Sequence, residues 1–291
     1  MISIAPEEIS QREVYTYLTG TVGPRPIAFA STINAQGVPN LAPFSFFNVF
    51  SANPPILVFS PALKGSDGSK KHTLENVLQT REVVINLVDY AMVQQMSLAS
   101  AAYPEGANEF VKAGLQMLKS DVVAPYRVAE APVQFECKVT KVEALGEEGG
   151  AGNLVFSEVI KIHIAESLLD ENGKVDQHKI DLVARMGDNW YTRSNRGMFE
   201  VAKPLTTLGI GVDQIPEHIR NSKVLTGNNL GMLGNVEQMP SSEEVANFVS
   251  GNTDVKELLK TNSQEKLEQK AQEYLKNNEV LSAWKVLLAN I

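Results

Sequence analysis

Between residues 65 and 76 the chain reads Gly-Ser-Asp-Gly-Ser-Lys-Lys-His-Thr-Leu-Glu-Asn. Lys70 and Lys71 bring positive charge to a run of small and hydroxyl-bearing residues. A short helix is expected from Thr73 to Gln79, its cap drawn from this polar loop. The start of a helix has N–H groups without partners, and its dipole favours negative charge. Such a loop suits a phosphate, with Lys71 and Thr73 adding a cation and a hydroxyl. By composition alone, the ordinary reading of the same run is an exposed flexible loop.

Other chemistry is excluded by what the sequence lacks. There is no GxSxG nucleophile motif and no GxxxxGK[ST] phosphate loop. Gly209-Ile210-Gly211 opens a GxG, but no third glycine follows at the dinucleotide-binding spacing. Glu147-Glu148 and Asp170-Glu171 are paired acids beside Gly149-Gly150 and Asn172-Gly173, so solvated turns explain them better than acid–base catalysis. His72, His163, His178 and His218 have no paired ligand spacing, and Cys137 is the single cysteine, so no metal centre and no internal disulfide are expected. His163, on a long strand, reads as an ordinary satisfied histidine.

The 291 residues suffice for one large domain or two modest ones. A net charge of −8 argues against nucleic acid or an anionic membrane as the main partner, while leaving room for a local basic pocket. The N-terminus MISIAPEEIS lacks an apolar core, so no signal peptide is expected, and no apolar run nears the ~20 residues of a membrane span. With one cysteine, a reducing cytoplasm fits.

Elements must position these residues. Ile27, Phe29 and Ser31 alternate with Ala28, Ala30 and Thr32, Asn34–Gly37 supplies a turn, and Val38 to Phe50 continues extended, as in a hairpin. Pro54-Pro55 marks the next turn. Ile56–Phe59 and Val83–Leu87 read as buried strands, and Asp89 to Ala102 as a helix. Val133, Phe135, Cys137 and Val139 alternate with Gln134, Glu136, Lys138 and Thr140, which predicts a strand with one wet face. Leu154 to Ile164 is a longer strand. Six or seven mostly antiparallel strands with few helices predict a mainly β fold, a barrel or sandwich. The composition changes after Pro204. Leu205 to Pro240 reads as irregular, and Ser241 to Ile291, without proline, reads as several helices. One is capped by Ser241 and another by Asn252 or Thr253-Asp254. A third carries the apolar stripe Leu267, Ala271, Tyr274 and Leu275.

The blocks RPIAFAST, NLAPFSFFN, NPP and KKHTLENV, with YPEGANEF, APVQFECKV and LVARMGDNWYTR further on, resemble the flavin reductase-like family in its flavoredoxin branch. The resemblance spans roughly residues 10 to 204. It implies an FMN-binding split β-barrel over residues 1–204, with a helical C-terminal extension over 205–291 outside it. It also implies non-covalent FMN at the interface of a homodimer, and two-electron reduction from NAD(P)H or electron relay to a redox partner protein. Carried over by position, Arg25, Ser31 and Thr32 would line the flavin. Ser45, Phe46, Phe47 and Asn48 would meet its ring and ribityl chain, and Ser60 would close one side. Lys71 and Thr73 would hold the phosphate, and Tyr191 and Arg193 would reach the flavin region from either subunit.

Each residue also has an ordinary reading. Phe46 and Phe47 are neighbours on a strand, so they face opposite sides and at least one is core. Arg25, between Pro24 and Pro26, would equally brace a loop. Asn48, if buried, needs a partner from a flavin edge or from a strand. One departure from the family bears on the reaction. Many NADH-dependent relatives carry Gly-Asp-His before a strand with Gly-x-Val; here Ala151 and Gly152 stand for the aspartate and histidine, and Ser157 for the strand glycine. The residue expected to contact the nicotinamide is missing, which favours an electron carrier over a direct NAD(P)H reductase. Trp284, Leu281, Val286 and Leu288 predict a last helix that docks on the barrel, its dimer mate or a partner.

Overall fold

Turn chemistry closes the first hairpin. The Asn34 side-chain oxygen accepts from the N–H groups of Gln36 and Val38, and Gly37 takes a φ of 81°. β1 (Ala28–Ile33) and β2 (Pro39–Phe44) pair antiparallel on either side of it. The computed structural model describes residues 1–204 and 207–290. It divides into two compact units, Met1–Phe199 and Glu200–Ile291. Leu205, the expected first residue of the extension, lies outside the described residues.

In the first unit, α1 (Gln11–Thr21) starts at a capping box formed by Ser10 and Glu13. After the hairpin come β3 (Phe47–Ala52), β4 (Pro55–Phe59), α2 (His72–Thr80) and β5 (Glu82–Asn86). The expected helix over Asp89–Ala102 is shorter, α3 (Val93–Ala99), and α4 (Glu109–Ala113) follows. Two short strands, β6 (Met117–Leu118) and β7 (Arg127–Val128), precede the long β8 (Val133–Ala144) and β9 (Asn153–Ile164); β10 (Val183–Arg185) and β11 (Tyr191–Arg193) form a small ribbon.

The main sheet has seven antiparallel strands in the order β2-β1-β5-β8-β9-β4-β3. Its two edges, β2 and β3, are joined directly through Ser45 and Phe46. Three residue steps span at most about 11 Å, so the sheet must curl until its edges nearly meet. A seam therefore runs beside Ser45-Phe46, where the expected extended stretch Val38–Phe50 breaks into two strands.

Alternate residues of β1, with Ile27 just before it, serve two cores. Ala28 and Ala30 pack with Phe44, Phe59, Leu74, Val77, Ile85, Cys137 and Val155 inside the curled sheet. Ile27 and Phe29 pack outside it with Leu41, Met92, Met96, Phe110 and Val183.

Strand β8 has no wet face at its start. Gln134 and Glu136 are buried because residues 120–128 fold over that side. The Glu136 carboxylate accepts from the N–H groups of Asp121, Val122 and Val123 and bonds to His163 Nε2 at 2.7 Å. Burial alone would raise its pKa, but the hydrogen bonds to Asp121, Val122 and His163 hold it below its ordinary value.

In the second unit the stretch expected to be irregular is mostly so but carries two short helices. After Gly209–Gly211 come α5 (Glu217–Arg220) and α6 (Gly227–Gly234), then α7 (Ser242–Gly251), α8 (Thr253–Lys260), α9 (Gln264–Lys276) and α10 (Val280–Leu288). Asn252 is the N-cap of α8. Gly209-Ile210-Gly211 is a packing device rather than a nucleotide loop. A Cβ at Gly209 would lie 2.5 Å from the Gly234 carbonyl oxygen, and the Gly211 N–H donates to that same oxygen. Leu267, Ala271 and Leu275 bury their stripe against Trp284, whose indole N–H donates to Leu233 O. Among the described residues helix exceeds strand, 32% to 23%, so "mainly β" fits the first unit and only roughly the chain. Among the described residues no helix is long and apolar enough to cross a membrane.

Candidate functional site

Four segments converge on the seam between β2 and β3. The Ser60 N–H, at the end of β4, donates to Phe46 O at 2.8 Å. The turn between β8 and β9 lies beside it: Leu63 N–H donates to Ala151 O, and Gly150 N–H to Leu63 O. Gly149 lets this turn rest on the basic loop, since a Cβ there would come within 3.0 Å of Lys64 O. The loop itself is closed by Gly68 N–H to Lys64 O and Lys64 N–H to Ser69 O, both 2.9 Å. Glu147 and Glu148 stay exposed, as turn acids should.

The loop delivers Lys71 as the N-cap of α2. No side chain caps this helix, contrary to the expectation that its polar loop would do so. The N–H groups of His72 and Thr73 are thus first-turn donors facing the loop. Lys71 Nζ sits 5.5 Å from the Phe44 ring centroid. Desolvation and then repulsion from Lys64 hold its ammonium below the usual lysine range. Among the described residues neither Lys64 nor Lys71 forms an ion pair. Lys71, with Lys64 beside it partly balanced by Asp67, puts positive charge at an uncapped helix start in a chain of net charge −8, which fits a phosphate group.

The structure brings together Ser45, Phe46, Ser60 and Lys71. Ser45 is half-buried at the corner between the sheet edges. Phe46 is 42% exposed, its ring 6.5 Å from that of Tyr15, while Phe47 packs into the inner core. Asn48 is exposed, and its side-chain oxygen accepts from Val49 N–H at 2.8 Å. Ser60 is buried beside Gly152, where a Cβ would lie 2.7 Å from Ser60 Oγ.

Other expected residues are placed elsewhere or turned inward. Thr73 is buried, and its hydroxyl accepts from Asn40 Nδ2 at 2.8 Å. Thr32 is buried as well and accepts from Asn40 and Asn76. This network pins α2 onto β1 and uses the Thr73 oxygen as an acceptor, which leaves its O–H free to donate. Ser31 faces the outer core, and its buried Oγ has no hydrogen-bond partner. Arg25 is buried, and its two terminal nitrogens donate to the carbonyls of Thr19, Val22 and Met186. That is the bracing role, and it ties α1 to the β10 region.

Tyr191 packs against the outer core, and Arg185 lies over its ring at 4.8 Å. Arg193 is forked onto Asp181 and stacks on Tyr90 at 4.0 Å. Within one chain both residues border a separate cleft that includes none of Ser45, Phe46, Ser60 and Lys71. Sequence reasoning passed over Tyr15, Lys64 and Gly149. The first is distant in sequence, and the other two gain meaning only when the β8–β9 turn docks on the basic loop.

Comparison with known proteins agrees with this architecture. Residues 22–179 match the family model described as flavin reductase like domain. The structure of nitrilotriacetate monooxygenase component B from Bacillus cereus is 30% identical, with a TM-score of 0.64, covering 70% of this chain and 98% of that one. The 2-nitrobenzoate 2-nitroreductase NbaA of Pseudomonas fluorescens is 27% identical, with a TM-score of 0.63, covering 72% and 100%. Flavoredoxin of Desulfovibrio vulgaris shares the fold at 20% identity and a TM-score of 0.52, covering 63% and 92%.

Proposed function

Because the chain belongs to the flavin reductase-like family, we propose that it is an FMN-binding oxidoreductase that passes reducing equivalents from NAD(P)H to flavin or to a protein acceptor. The observation that carries the reading is the pair of lysines, neither held in an ion pair, at an uncapped helix start beside the seam of the sheet. Bound FMN would supply the redox chemistry, taking up and releasing two electrons. The protein has to hold it and leave it accessible. Lys71, Lys64 and the N–H groups of His72 and Thr73 hold the phosphate. The Ser45–Phe46 corner and Ser60 border the remainder of the cofactor, and Phe46 with Tyr15 offers an exposed aromatic wall. A monooxygenase component and a nitroreductase among the similar structures fit a protein that hands electrons onward.

A homodimer belongs to the same proposal. Tyr15, Val49 and Phe50 are 60%, 63% and 69% exposed around Phe46, an apolar surface suited to a second copy.

A second reading, an electron carrier without its own NAD(P)H turnover, is favoured by Gly152. That position has no side chain to hold a nicotinamide, and Ser60 Oγ occupies the space one would need. Anaerobic oxidation of NADH and of NADPH by the FMN-loaded protein separates the two. Saturable turnover at micromolar nucleotide supports the reductase. A yellow protein reduced by dithionite but by neither nucleotide supports the carrier. A chain that binds no flavin refutes both.

A further inference from the structure

A second cleft, of about 550 Å³, opens on the first unit between α3 and the β10–β11 ribbon. That is a size typical of small-molecule sites. Its walls include Tyr90, Val93, Tyr191, Arg185, Arg193 and Arg196, and no Asp or Glu lines it among the described residues. Three arginines around one cleft run against a net charge of −8.

The three are not equivalent. Arg193 is neutralised by Asp181 and held flat on Tyr90, so it forms part of the wall. Arg185 and Arg196 take part in none of the ion pairs among the described residues. Arg185 is nevertheless aimed: its backbone exchanges hydrogen bonds with Arg25, and its guanidinium stacks over Tyr191 at 4.8 Å. A guanidinium oriented by an aromatic ring presents its planar fork of N–H donors to carboxylate or phosphate oxygens. Val93, Val183 and the tyrosines supply apolar surface for the body of a ligand.

We infer that this cleft binds a small organic anion, its carboxylate or phosphate held by Arg185 and Arg196 and its apolar or aromatic body lying against Tyr90 and Tyr191. The charge comes either from an aromatic carboxylate or from the phosphate of a nucleotide. The site is distinct from the lysine loop at the seam, so the inference does not depend on the flavin reading.

The test is calorimetric titration of the full chain, saturated with FMN, using benzoate, 5′-AMP and inorganic phosphate as probes. Benzoate or 5′-AMP should bind at submillimolar concentration, with inorganic phosphate at least tenfold weaker because it lacks the body. Binding of benzoate alone assigns a carboxylate ligand, and binding of 5′-AMP alone assigns a nucleotide. Arg196→Gln, at an exposed position, and Arg185→Gln should each weaken the bound probe at least tenfold while leaving FMN affinity unchanged. If Arg185→Gln does not fold, Arg196→Gln carries the test. Absence of binding by benzoate and 5′-AMP up to 10 mM, or variants that bind like the parent chain, would overturn the inference. Retained FMN in either case separates its failure from failure of the flavin reading.

Discussion

Gly152 and Ser60 give the sharpest prediction. A Cβ built on Gly152 falls 2.7 Å from Ser60 Oγ and 3.5 Å from Leu145 Cδ1. The first distance is far inside contact; the second is ordinary packing. Ser60 is buried and its backbone is tied to Phe46, so it can relieve the clash only by rotating its hydroxyl or shifting the seam. Overpacking of this kind costs about 1–3 kcal/mol. For a unit near 200 residues, each kcal/mol lowers Tm by about 2–4 °C. Gly152→Ala should therefore lower the melting temperature by roughly 2–12 °C. Ser60→Ala removes the clashing oxygen and leaves Ser60 Cβ at 4.0 Å, an ordinary contact. In the Ser60→Ala background, Gly152→Ala should cost less than about 0.5 kcal/mol, the scatter of additive pairs. Thermal melts of the four proteins form the cycle. An equal cost of Gly152→Ala in both backgrounds would refute the claim that Ser60 fills the space a side chain at 152 would take.

Three further outcomes follow from the same structure. The Glu136 carboxyl is held below its ordinary value, so the stability it contributes is present above about pH 4.5 and is lost as pH falls through its lower folded value. Glu136→Gln should flatten this acid limb in melts from pH 6 to 3, and an unchanged limb would count against the three N–H donors. Sedimentation at micromolar concentration should give about twice 31.8 kDa, whereas a monomer that still binds FMN tightly would end the shared-site proposal. On the carrier reading, reduction by NADH in anaerobic stopped flow is slow beside that by dithionite, because Gly152 offers no side chain that positions a nicotinamide; fast saturable reduction at micromolar nucleotide supports the direct reductase instead.

Much of the first unit was legible because its signals are local. Alternation in Ile27–Thr32 and the Asn34–Gly37 turn determine the first hairpin, and Asn34 makes the turn bonds its residue type suggests. The family blocks mark the right strands and the lysine loop. The failures are long-range. Alternation around Glu136 predicts a wet face, but the strand is covered by a segment that donates N–H groups from residues 121–123, which no local pattern announces. Glycines 227, 231 and 234 argue against a helix, yet α6 forms behind a Thr226–Asn229 capping box and buries Leu233, while Gly234 allows the close approach of Gly209 and Gly211. At the site, the resemblance places Thr32 and Thr73 beside a ligand. Asn40 and Asn76, which donate to their hydroxyl oxygens, become neighbours only after the sheet curls and α2 docks.

The central claim is that the lysine loop and the start of α2 hold a flavin by its phosphate. Fluorescence titration of the full chain with FMN and with riboflavin tests it directly, repeated on Lys71→Ala. The account predicts that FMN binds more tightly than riboflavin. It also predicts that Lys71→Ala weakens FMN by about 1.5–3 kcal/mol, the range for a hydrogen bond to a charged group, with riboflavin nearly unaffected. Equal affinities for the two flavins, or equal losses for both in the variant, would contradict it.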